Sequence, residues 1–216
     1  MKIFIALIIL LSSSVPSWAD YYVWEDSKTG LSATFPDRWE HQTNRNPVDV
    51  LTIEAPSAND DAVCKIKAID DKRYTIFPAS KGNAVQKVAV SIPFWKSYMA
   101  HYDDFEIARV YDGGSLGQWI ASYATFSYTA RDGSVSQSRR GIGFASLYYD
   151  NLYIIECSSL SHAYERWDND FKSVIKSVDF KRIYHSHKEG EYESFLNNAK
   201  QYFWAQTGPE GTIGYK

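Results

Sequence analysis

An α+β fold, an antiparallel sheet sandwiched between helical layers, is predicted by two features of this 216-residue chain. Between residues 21 and 159 the apolar side chains recur at a period of two, in short runs separated by Gly, Pro, Asn and Asp. After residue 160 the period changes to 3.6, and an amphipathic stripe follows the strands instead of alternating with them.

Taken in order, residues 21–25 and 31–35 read as strands around a turn at 27–30, with Pro36-Asp37 stopping the second. Residues 50–55 and 62–69 form a hairpin around the turn-rich 57–61, and 73–77 adds an edge strand before Pro78. Residues 85–92 are ambiguous: their β-branched residues favour a strand, while Val85, Val88, Ile92, Trp95, Met99 and Tyr102 follow a 3-4-3-4-3 spacing. Pro93 fits the first turn of a helix better than its interior, so a short strand is expected before it and a helix over 93–102. Strands follow at 105–111 and 118–128 around an Asp112-Gly113-Gly114 turn. Those at 135–149 and 151–159 continue a meander after the hairpin signal Asp132-Gly133. Tyr164, Trp167, Phe171, Val174, Ile175 and Val178 then line one helix face, with Ser161 placed to cap it.

Ahead of these elements, Lys2, the apolar run 3–11, Pro16 and the small residues Ser17 and Ala19 form the pattern of a secretory signal peptide over 1–19. Its nine apolar residues reach about 14 Å as a helix, against a hydrocarbon core of about 30 Å, so stable membrane insertion is not expected. The expected location is periplasmic or secreted, with an α+β domain over 20–182. The formal charge of −3 leaves no basic footprint for nucleic acid.

Export gives the two cysteines meaning. Alternation in 62–68 puts Lys65 and Lys67 on one face and Cys64 on the other, and in 152–158 the charged Glu156 looks outward while Cys157 looks inward. Two inward cysteines form either one disulfide or two separate buried thiols, and the oxidising compartment favours the disulfide Cys64–Cys157.

Residues 30–39 (GLSATFPDRW) resemble the opening strand of the PsbP-like superfamily, which includes bacterial DcrB-like envelope proteins. Residues 171–180 (FKSVIKSVDF) resemble its closing helix. The similarity spans about residues 20–180. It implies a sheet between helical layers and a role in binding or assembly, and it carries over no catalytic residues and no cofactor.

Chemistry in the sequence is sparse. Gly113-Gly114-Ser115-Leu116-Gly117 matches the G-x-S-x-G pattern, but an elbow needs a helix after the serine and residues 118–126 read as strand. His185 and His187 share a face if extended, yet a third ligand at metal spacing is missing. The pairs Asp60-Asp61, Asp70-Asp71 and Asp103-Asp104 read as solvated turns, and Asp168-Asn169-Asp170 lacks the Gly and distal Glu of a calcium loop. No catalytic, cofactor or metal residue is assigned. Beyond the domain, residues 183–216 form an extension with a short helical pattern, in which Phe195, Tyr202, Phe203 and Trp204 are candidate anchors for a protein partner. The expected function is a non-enzymatic binding or assembly factor of the bacterial envelope. The alternatives are a glycan-binding module using exposed Tyr and Trp, or a small hydrolase using carboxylates that folding brings together.

Overall fold

A computed structural model describes residues 20–44, 46–57, 59–73, 82–132 and 135–181. Strands β1 (Tyr21–Glu25) and β2 (Ser32–Pro36) pair as a separate hairpin. The Asp26 carboxylate closes its turn, accepting the Thr29 N–H at 2.9 Å and the Thr29 hydroxyl at 2.6 Å, and Gly30 takes the left-handed φ of +67° that this corner requires.

The main sheet holds β3 (Glu40–His41), β4 (Asp49–Glu54), β5 (Val63–Asp70), β6 (Asp103–Leu116), β7 (Trp119–Asp132), β8 (Val135–Tyr148) and β9 (Asn151–Leu160). Their order is β3-β4-β5-β9-β8-β7-β6, with every neighbouring pair antiparallel. Helices α1 (Gly82–Ala89) and α2 (Ile92–Met99) lie between β5 and β6, so the chain reaches the far edge and then meanders back until β9 pairs with β5. The expected α+β sandwich is the fold observed.

One face of the sheet is closed by helix α3 (Tyr164–Ser177) together with β2. Phe171, Val174 and Ile175 from the helix and Leu31, Ala33 and Phe35 from the hairpin are buried there. Ser177 stitches the two elements, its hydroxyl accepting the Thr34 N–H at 2.8 Å and lying 2.8 Å from the Thr34 carbonyl oxygen. Cys64 and Cys157 face each other in register and are joined by a disulfide, as the export reading favours.

The opposite face is closed by α1 and α2. Trp95, fully buried, donates its indole N–H to the Ser122 hydroxyl at 2.7 Å and lies on Gly143, where an added Cβ would come within 2.9 Å of the ring. Gln86 holds α1 to the sheet. The β7–β8 ladder stops at Ser122↔Ala145, and the Gln86 amide takes over, donating to the Ala145 carbonyl at 3.3 Å and accepting the Leu147 N–H at 2.7 Å.

Three local expectations are corrected. The short strand expected at 85–92 is mostly the helix α1: Gln86 and Ala89 fall on its buried side, with Val90 buried just past its end, and that burial outweighs the β-branched propensity of its valines. The turn expected at Asp112–Gly114 lies inside β6, where the register to β7 shifts between Tyr111 and Gly114. The actual turn is at Gly117, with φ +58°. Ser161 does not cap α3; Ala163 occupies that position, and the Ser161 hydroxyl bonds that of Ser138 at 2.8 Å. Most of the edge strand expected at 73–77 lies outside the described residues.

Candidate functional site

Helix α2 and the residues that follow it cover only part of their sheet face, and a cavity of about 630 Å³ opens beside them. Its floor is built by alternate residues of five strands: Thr52 and Glu54 from β4, Val63 and Lys65 from β5, Glu156 and Ser158 from β9, Gln137 and Arg139 from β8, and Tyr128 and Ala130 from β7. A period of two is what brings these side chains to one face. Asp49, Asp61, Tyr102 and Arg131 complete the wall.

Glu156 anchors the site at only 3% exposure. One carboxylate oxygen accepts the Tyr98 hydroxyl at 2.6 Å and the other accepts the Tyr102 hydroxyl at 3.1 Å. Lys65 stands opposite Glu156 in the β5–β9 register, and the Lys67 ammonium sits 5.0 Å from the centre of the Tyr98 ring. Burial, and then the negative charge of Glu156, push the Tyr98 and Tyr102 phenols well above their ordinary pKa. Tyr128, whose ring centre lies 3.9 Å from that of Tyr102, is raised for the same two reasons, with Arg139 opposing.

Arg139, at 5% exposure, is the second buried charge. Its guanidinium pairs with the Asp61 carboxylate and donates to the Asp61 carbonyl at 2.6 Å and to the Ser158 hydroxyl at 3.3 Å. The Tyr128 and Ser158 hydroxyls lie 3.0 Å apart, in hydrogen-bond contact. Against this paired set, the Oδ1 of Asp49 is buried and has no hydrogen-bond partner among the described residues. The cavity therefore offers fixed charges of both signs and stacked phenols, an arrangement suited to holding a polar ligand.

Two sequence readings of these residues are corrected. Glu156 does look away from Cys157, but toward α2 and not toward solvent, because the sheet is covered on both faces. The run Leu152-Tyr153-Ile154-Ile155, apolar on both faces of the strand, is the sequence signal that could have shown this. Asp60 and Asp61 are anchors and not solvated turn residues. Asp60 is 7% exposed and binds the Arg166 guanidinium at 2.6 Å and the Trp167 indole N–H at 3.0 Å, while Asp61 holds Arg139. Asp168 and Asp170 pair with Lys172 and Arg38 on and beside α3. Ser115 lies within β6 opposite Ile120, with strand on both sides of the hairpin. Among the described residues no group of three or more His, Cys, Asp or Glu side chains is arranged to hold a metal ion, and no helix is long and apolar enough to cross a membrane. Residues 1–19, His185, His187 and the anchors Phe195, Tyr202, Phe203 and Trp204 lie outside the described residues.

No family model and no curated protein matches the chain. Among solved structures it is similar to cyanobacterial PsbP from Synechocystis sp. PCC 6803, at 13% identity and a TM-score of 0.49 over 79% of this chain and 98% of that one. It is also similar to LpqN, described as involved in cell envelope biogenesis of Mycobacterium tuberculosis, at 11% identity and a TM-score of 0.47 over 76% and 91% of the two chains. A third is the Ran-binding protein Mog1p of Saccharomyces cerevisiae, at 6% identity and a TM-score of 0.45 over 75% and 96%.

Proposed function

We propose that this chain is an exported, non-enzymatic binding or assembly protein of the bacterial cell envelope, and that its sheet-face cavity receives a polar segment of a protein partner. The observation that carries this reading is an open cavity of about 630 Å³ lined by side chains of both charges and by stacked phenols, whose deepest charges are held by internal bonds. Glu156 and Arg139 are committed to internal bonds, which suits a preorganised binding surface better than proton transfer. The Cys64–Cys157 disulfide fits the oxidising compartment to which residues 1–19 would direct the chain.

The test is affinity purification from envelope extracts with the wild-type chain and with an Arg131→Glu, Glu54→Lys variant. Arg131 is exposed at the rim, and its ion pair with Asp103 is solvated, so the variant should fold normally by circular dichroism. A partner recovered by the wild type should be depleted at least tenfold with the variant and bind the wild type directly once purified. Turnover of an envelope peptide or glycan by the purified protein would replace this reading with an enzymatic one.

A further inference from the structure

The main sheet ends unequally. At one edge β3 is two residues long, whereas the other edge is the 14-residue β6, which pairs with β7 and with no other described strand. A long strand edge is a template for another strand.

What this edge presents depends on a bulge. Residues three apart on a regular strand point to opposite faces, but the register to β7 shifts between Ile107 and Arg109. Glu106 therefore stands opposite Ser127 and Arg109 opposite Thr125, which are two apart on β7 and share a face. Both charged side chains line a cleft of about 370 Å³ beside α3. In that cleft Arg140 is paired with Glu165 at 3.0 Å and Asp168 with Lys172 at 2.5 Å, while the exposed Glu106 has no ion-pair partner among the described residues. The Arg109 guanidinium donates to the Tyr111 hydroxyl at 3.3 Å. On the opposite face Phe105, Ile107 and Val110 pack only partly against the core. Asp104 takes a left-handed φ of +46°, and the register shifts again between Tyr111 and Gly114, so 105–111 is the stretch left to pair.

We propose that two copies of this chain join antiparallel along that stretch, about a two-fold axis at Ile107 and Ala108. Charge selects a second copy as the occupant. Acid and base stand symmetrically about this centre, so Glu106 of each copy meets Arg109 of the other, giving two ion pairs on one face. Phe105 of each copy meets Val110 of the other on the apolar face. A parallel or shifted pairing loses both matches. The two-fold closes the assembly at a dimer and leaves neither β6 edge open.

The experiment is sedimentation equilibrium of the purified full chain from about 10 µM to about 1 mM, the range of weak protein pairs. The wild type should show a reversible monomer–dimer equilibrium. Glu106→Arg sets like charge against Arg109 of the other copy, and Arg109→Glu sets like charge against Glu106. Each change should weaken the dimer about tenfold and leave the circular dichroism spectrum unchanged. The double variant Glu106→Arg, Arg109→Glu should recover the dimer. An equimolar mixture of the two single variants should recover it too, because their charges complement each other, and this arm does not depend on the double variant folding. The proposal is overturned if the wild type is monomeric at about 1 mM, if the folded single variants dimerise as the wild type does, or if their mixture fails to restore the dimer.

Discussion

At Glu156, two phenol hydroxyls replace the water that a carboxylate loses on burial. The same contacts make the phenols the pH-sensitive part of the fold. The pKa values of Tyr98, Tyr102 and Tyr128 are raised by burial and by Glu156, so the folded state holds these protons more tightly than the unfolded chain does. Their contribution is fully present below the unfolded value, about pH 10, and is lost as pH rises above it. Urea unfolding at about pH 8 and about pH 11 should show a fall in stability across that interval, and Tyr102→Phe should make the fall smaller. An unchanged pH dependence in the variant would contradict this account of the site. Alternation in the sequence placed Glu156 and Cys157 on opposite faces correctly, but a period of two assigns sides without saying what covers them. Asp61 illustrates the other limit, since Arg139 lies 78 positions away and no local pattern joins the two.

At the scale of elements, the strands of the meander were legible because their alternation and turn residues agree, whereas α1 was not, because its valines favour a strand and its stripe favours a helix. What decides is tertiary: Gln86 fills the gap where the β7–β8 ladder ends, a contact that only the folded sheet creates. Packing between α2 and the sheet is equally specific. Gly143 leaves the space that Trp95 occupies, and Gly143→Ala would place a Cβ 2.9 Å from two ring atoms, with sheet backbone behind it. That change should destabilise the protein by about 1–3 kcal/mol in urea titrations, with a blue-shifted or red-shifted Trp95 emission reporting the displaced ring. A loss below about 0.5 kcal/mol would mean that α2 is free to lift, and that it does not define the cavity wall.

Across the whole molecule, two helical layers protect one sheet, and the two faces are put to different uses. The α3 face is largely apolar, with the buried Asp60 held by Arg166 and Trp167 of the helix; it carries the disulfide and supplies the stable core. The α1–α2 face carries the buried Glu156 and Arg139 and the open cavity. Change from a period of two to one of 3.6 after residue 160 made the layered class readable, and the apolar stripe of α3 matched its buried residues. The cavity was not readable, because it is assembled from five strands in the order β4-β5-β9-β8-β7, and that order is a property of pairing rather than of any one segment. The central claim is that this cavity is where a protein partner is seated. It is tested most directly by placing a photo-cross-linking residue at position 131, on the cavity rim, and at position 88, whose valine is 77% exposed on α1. Irradiation of cells should give a discrete cross-linked partner from position 131, lost when Glu54→Lys is added, and none from position 88. Cross-linking of equal yield from both positions, or from neither, would contradict the account.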